Sequence, residues 1–249
     1  MSGFFFGPFE EQRFGYYHAP LRGDAGAVVI CAPWGLEYQY SHRALRVLGQ
    51  RLAACGHHVL RFDYSGTGDS WGDTTDADLE RWEQDLQLAM RELQKLSGRT
   101  RIDLVGLRLG AVVAASAAGA RGDVGRLVLW DPVLDGEAWV EEMSGRAPAL
   151  TPREEHATAV ALGPYRTSPR LREQLRSVGP SCFGPHLAER VLLLETADPA
   201  LSAHPSLSHI ENLHYEFLAD TNPWIEDVAI WAGQVPAKAV RRISEWFLQ

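Results

Sequence analysis

Lysine is almost missing from this chain. Lys95 and Lys238 are the only two, so nearly all of the 24 basic residues are arginine. These arginines are scattered among 32 acids, giving a net charge of −8. Binding to a nucleic-acid backbone needs clustered cations, and this distribution argues against such a partner. Cysteine is also scarce: Cys31, Cys55 and Cys182 are odd in number, widely spaced and free of any C-x-x-C pair. Neither a disulfide framework nor a zinc site follows from them, no metal ligand set is expected, and a reducing, cytoplasmic setting fits. No apolar run approaches the roughly 20 residues of a membrane span. The phenylalanine-rich start, Phe4 to Phe9, lacks a basic flank and is broken by Gly7 and Pro8, so neither a signal segment nor a membrane partner is expected.

What is present is enough apolar content, 45% of 249 residues, to fill one large core, and a single domain over 1–249 is the expectation. Phe4–Phe9 and Arg13–His18 read as a hairpin. Ala27–Ala32, His58–Tyr64, Arg101–Leu107, Arg126–Asp131, Arg190–Glu195 and Leu213–Leu218 are short apolar runs suited to strands covered on both faces. Helical periodicity separates most of them, over Ser41–Cys55, Ala77–Leu96, Leu109–Ala120 and Pro236–Leu248. Thr74 or Thr75 is a candidate cap for the second of these, and Gly98 a candidate terminator. The alternation predicts a doubly wound α/β sheet. Residues 135–187, rich in Pro, Gly, Arg and Ser, interrupt it and read as a lid inserted over the carboxyl ends of the strands.

Gly106-Leu107-Arg108-Leu109-Gly110 lies where a strand meets an Ala-rich helix. Its frame is that of the serine-hydrolase elbow, G-x-S-x-G, with arginine at the centre. A guanidinium keeps its proton and cannot attack a carbonyl, so fold and chemistry must be argued separately. A literal G-x-S-x-G does occur at Gly68 to Gly72, but Ser70 follows a glycine-rich loop and precedes a polar stretch, not a helix. Gly66 and Gly68 likewise fall short of a dinucleotide fingerprint, and no cofactor is expected.

The segments Cys31 to Tyr38 with Ser41-His42-Arg43, Asp63 to Ser70, Leu104 to Gly110, and Leu127 to Val133 together resemble the α/β-hydrolase superfamily, near its serine-aminopeptidase-like and exosortase-associated hydrolase groups. That resemblance implies a mostly parallel eight-stranded sheet flanked by helices. It implies an oxyanion loop at Trp34 and Gly35, a second oxyanion donor at the Leu109 amide, and an acid at Asp198. The histidine such a protein carries between its last strand and last helix is missing: residues 220–235 contain none, and His204, His209 and His214 come earlier. Two of three triad roles are thereby vacant, which removes the proton transfer that makes a hydroxyl reactive.

A cation at a helix N-terminus opposes the macrodipole by about 0.3–1 kcal/mol, so an acid should accompany Arg108. Glu37, Asp131 and Asp198 are the candidates, preferably through a bidentate pair. With the oxyanion amides, Arg108 would form an anion site suited to a carboxylate, a phosphate or an enolate, with Glu37 or Asp131 as base. The resemblance implies a hydrolase acting on an ester, thioester or amide of a small or carrier-bound acyl group. The other reading is a catalytically inactive relative that binds or scaffolds. Tyr165, Trp139, Phe183 and Leu187 are lid residues that could line an apolar pocket.

Overall fold

The computed structural model describes residues 2–145, 159–196, 204–222, 224 and 234–249. Its strands are β1 (Ser2–Phe6), β2 (Arg13–His18), β3 (Gly26–Cys31), β4 (His57–Phe62), β5 (Asp103–Leu107), β6 (Arg126–Trp130), β7 (Val160–Leu162), β8 (Tyr165–Thr167), β9 (Arg190–Glu195) and β10 (Leu213–Phe217). Its helices are α1 (Leu36–Ala54), α2 (Leu79–Ser97), α3 (Leu109–Arg121), α4 (Gly136–Gly145), α5 (Pro169–Arg176), α6 (His204–Leu207) and α7 (Ala237–Trp246). Eight strands form one sheet in the order β1-β2-β4-β3-β5-β6-β9-β10, and only β2 runs against its neighbours.

The continuous apolar strands are explained by burial on both faces. In β3, Val28 and Ile30 enter a core with α1 and α7, whereas Val29 and Cys31 enter another with α2 and α3. The period-2 alternation of a strand thus feeds two hydrophobic layers, not a core and a solvent face. Among the described residues no helix is long and apolar enough to cross a membrane.

Most boundaries shift by one or two residues from the sequence reading, and three differences bear on the site and its surroundings. The first strand ends at Phe6, because Gly7 turns the chain at φ 96° and Pro8 follows; Phe9 lies in the turn, 90% exposed. Helix α2 is capped by Asp78, whose side chain accepts from the Arg81 amide at 2.8 Å, not by Thr74 or Thr75; Gly98 does terminate it, at φ 70°. Helix α1 begins one and a half turns early, at Leu36, which moves Glu37 from a loop into the first helical turn. Between β6 and β9 the described residues form α4, the β7–β8 hairpin and α5. The hairpin is held down by Gln39 donating to the Tyr165 hydroxyl at 2.6 Å and Thr74 donating to the Arg166 carbonyl at 2.5 Å.

Candidate functional site

The elbow is built by what two glycines allow. A Cβ on Gly106 would lie 2.4 Å from the Ala111 Cα, and one on Gly110 would lie 2.3 and 2.4 Å from the Cys31 and Ala32 carbonyl oxygens. Only at these bare positions can β5, α3 and the end of β3 close together. Arg108 between them adopts φ 54°, ψ −121°, a conformation costing about 1–3 kcal/mol that persists where the surroundings impose it. They do so here: the Arg108 amide donates to the Trp130 carbonyl at 2.9 Å, extending the β5–β6 ladder one rung beyond the strands. One strand over, Asp131 repeats the arrangement at φ 43°, with its amide on the Leu194 carbonyl at 2.9 Å.

The arginine meets its acid on α1. Arg108 Nε donates to Glu37 Oε1 at 2.8 Å and Nη1 donates to the Asp131 main-chain carbonyl at 3.1 Å. The bidentate pair expected from the sequence is not formed. The Arg108 side chain is 13% exposed and that of Glu37 1%. Burial pushes the Glu37 pKa up, and the nearby Arg108 offsets this only in part. Burial works against the Arg108 cation too, yet the Glu37 carboxylate holds its pKa above the ordinary value. The second Glu37 oxygen, Oε2, is buried without a hydrogen-bond partner among the described residues, and so is the Trp139 indole nitrogen. Trp139 lies close enough to favour the Glu37 carboxylate without closing a bond of normal geometry.

Asp131 takes part through its main chain, while its carboxylate faces β9. Oδ1 accepts from the Thr196 amide at 2.7 Å, and the Thr196 hydroxyl lies 2.6 Å from Oδ2 and 2.5 Å from Asn222 Oδ1. One hydroxyl proton cannot serve both oxygens, so either Asp131 is protonated or the Asn222 amide is turned to donate. Burial raises the Asp131 pKa to about 6 against the pull of these Thr196 bonds and of Arg108. Thr196 and Asn222 went unrecognised in the sequence, although Thr196 directly follows a strand whose register with β6 places it beside Asp131.

Trp34 and Gly35 join β3 to α1, and the φ of 71° at Gly35 requires glycine. The Leu109 amide opens α3, where helix geometry supplies no intrahelical acceptor. Trp34 packs against Tyr165 and Trp139 at ring-centroid distances of 5.2 and 6.4 Å. Phe183 and Leu187 are buried in the same hydrophobic cluster as Trp34 and Trp139, with Tyr165 packed against it. Asp198 lies outside the described residues. His209 is bonded to the Phe183 carbonyl at 2.6 Å, and His214 stacks on Trp246 at the far edge strand, so neither reaches Arg108. Ser70 is locked in its loop, donating to the Asp63 carbonyl at 2.6 Å and accepting from the Phe14 amide at 2.9 Å.

Comparison with known proteins agrees with this architecture. The structure resembles Est1E from Butyrivibrio proteoclasticus, solved with ferulic acid, at 17% identity and a TM-score of 0.71 over 98% of both chains. It resembles an alpha-beta serine hydrolase homologue from Coxiella burnetii at 14% identity and 0.62, over 99% of this chain and 95% of that one. A proline iminopeptidase from Mycobacterium smegmatis follows at 12% and 0.63, over 100% and 98%. At these identities the likeness is one of fold. No curated protein sequence matches the chain. Residues 27–168, more than half of the chain, match the family model described as serine aminopeptidase, S33, and the protein belongs to that α/β-hydrolase family.

Proposed function

We propose that this protein handles an ester, thioester or amide of a small or carrier-bound acyl group without forming an acyl-enzyme, through a site centred on Arg108. The observation that carries the reading is the elbow itself: the backbone geometry that presents a side chain to the carboxyl edge of the sheet is intact, and the side chain presented is a guanidinium paired with a buried carboxylate. In this reading Arg108 stands where relatives carry a nucleophilic serine. With the amides of Gly35 and Leu109 it would hold the carbonyl or carboxylate oxygen of the ligand, where fixed donors stabilise developing negative charge. The unpartnered Oε2 of Glu37 supplies an acceptor for a ligand N–H or O–H, and its raised pKa suits it to take up a proton. Asp131 positions Arg108 through its main-chain carbonyl.

A second reading, a catalytically inactive binding protein, is favoured by the packing of Trp34, Tyr165 and Trp139 beside the elbow. One experiment separates the readings. The wild type, Arg108→Gln and Glu37→Gln are assayed with a panel of acyl esters and acyl thioesters, alongside fluorophosphonate labelling followed by intact mass. The proposal expects no adduct, and turnover that falls at least tenfold in both variants. An adduct on any serine sinks it. Wild-type inertness across the panel, with ligand binding retained, transfers the case to the inactive binder.

A further inference from the structure

The opposite, amino-terminal edge of the sheet carries a concentration of charge that the elbow does not use. Where β3, β5, β6 and β9 begin, a cavity of about 360 Å³ is lined by Arg99, Arg101, Arg126 and Arg190, with Asp103 and Glu189 as its acids. Four guanidinium groups against two carboxylates is a local reversal in a chain of net charge −8. Two of the four are matched: Arg101 grips Glu189 through two hydrogen bonds of 2.8 and 2.7 Å, and Arg99 takes Asp24. Arg126 and Arg190 have no ion-pair partner among the described residues, and they are register partners on adjacent parallel strands. Two like charges therefore stand side by side, a destabilising arrangement in a sheet.

Each of the two is propped on an aromatic ring. Arg190 lies 4.2 Å from the Trp246 centroid and Arg126 5.7 Å from that of Phe247, where Arg126 Nη1 also donates to the main-chain carbonyl at 2.6 Å. Arg190 Nη2 also donates to Gln249 Oε1 at 3.3 Å, and the remaining cavity acid, Asp103, accepts from the Arg126 main-chain amide at 2.8 Å; ring faces and amide oxygens orient the two cations, and one carboxylate offsets only part of their charge. Behind the wall His57 is fully buried, its Nε2 3.8 Å from where a Cβ of the cavity-lining Gly26 would stand, and burial together with the nearby Arg126 lowers its pKa to about 4.

We propose that this cavity is a phosphate site, in which a dianionic phosphate, inorganic or the terminal group of an organic phosphate, bridges Arg126 and Arg190. A guanidinium offers paired donors that match two phosphate oxygens, and a dianion between two such groups turns their repulsion into attraction. The site is separate from the elbow, which lies at the other end of the same strands.

The test is thermal melting of the whole chain at fixed ionic strength, with inorganic phosphate, glycerol phosphate or chloride, for wild type, Arg126→Gln, Arg190→Gln and Arg108→Gln. Phosphate or glycerol phosphate at ten times Kd should raise the wild-type Tm by about 4 °C, chloride not at all. Either amino-edge substitution should remove most of that shift, while Arg108→Gln keeps it. Whichever phosphate gives the larger shift identifies the source. In phosphate-free buffer of low salt, Arg190→Gln should melt no lower than wild type, because it relieves the like-charge pair; this arm stands even if Arg126→Gln fails to fold. An equal shift in chloride, full retention of the shift in Arg190→Gln, or its loss in Arg108→Gln would each overturn the proposal.

Discussion

At the carboxyl edge of the sheet Arg108 is nearly buried and its charge is met by Glu37, itself buried; at the amino edge Arg126 and Arg190 stand beside each other, half-buried, on ring faces. Desolvation separates the two cases. A cation cut off from water costs several kcal/mol unless a counter-charge accompanies it, so the elbow arginine could enter the fold only with its acid. The amino-edge arginines keep contact with solvent, which screens their repulsion and leaves them available. At the elbow the counter-charge comes from within the fold, whereas the two amino-edge cations have no ion-pair partner among the described residues.

The same contrast holds for backbone packing, and it gives the largest expected effect. Gly110→Ala drives a Cβ to within 2.4 Å of two main-chain carbonyl oxygens that β3 cannot move. Gly125→Ala, just before β6, meets side-chain atoms and no main-chain oxygen among its nearest neighbours: Asp103 Oδ1 at 2.8 Å, and Arg101 Cδ at 2.9 Å on a long side chain that can shift. Urea unfolding should show a loss of about 3 kcal/mol or more for the first, and about 1 kcal/mol or less for the second. Equal losses would break the distinction between a locked edge and an adaptable one.

These differences bear on what could be read from the sequence. The elbow glycines and Arg108 were legible because a strand-turn-helix motif is local and its steric demands are written in consecutive letters; of the three candidate acids, Glu37 pairs with Arg108, Asp131 meets it only through its main-chain carbonyl, and Asp198 lies outside the described residues. The place of Glu37 in α1 was not: Leu36 to Tyr40 lacks an obvious cap, and Gly35 supplies none through a side chain. Thr196 beside Asp131 was hidden for another reason, since 65 residues separate them and only the β6–β9 register joins them. The Arg126–Arg190 pair is a product of that same register. The alternation of strands and helices showed that the strands were parallel neighbours in some order, but not which starting residues would face each other.

An intermediate effect is expected from Asp131, a carboxylate that burial makes harder to ionise. Its pKa in the folded protein is about 6, against about 3.9 in an unfolded chain. A carboxyl whose pKa rises on folding binds its proton more tightly when folded. Its stabilising contribution is therefore fully present below about pH 4 and is lost as pH rises through 6, by roughly 2–3 kcal/mol in all. Asp131→Asn removes the titration while keeping an acceptor for the Thr196 amide. The unfolding free energy of the variant, relative to wild type, should accordingly rise by that amount between pH 4 and 7. A constant difference across this range would mean that Asp131 ionises as freely as an exposed acid, and the elbow would lose its character as a desolvated site.

The smallest effect belongs to the amino edge and sets the floor of the comparison. Arg101 and Glu189 form a two-point ion pair with good geometry, but their side chains are 56% and 62% exposed. Water already solvates both groups in the unfolded chain and continues to do so in the folded one, so forming the pair returns little beyond the ordering of two long side chains. A double-mutant cycle with Arg101→Gln and Glu189→Gln should give a coupling energy of about 0.5 kcal/mol at low salt, falling further at about 0.5 M sodium chloride. The corresponding cycle on Arg108 and Glu37, with Gln at both positions, should couple several times more strongly and change little with salt, because no ions reach between the partners. If the two cycles gave similar energies and similar salt responses, burial would not be what distinguishes the two edges.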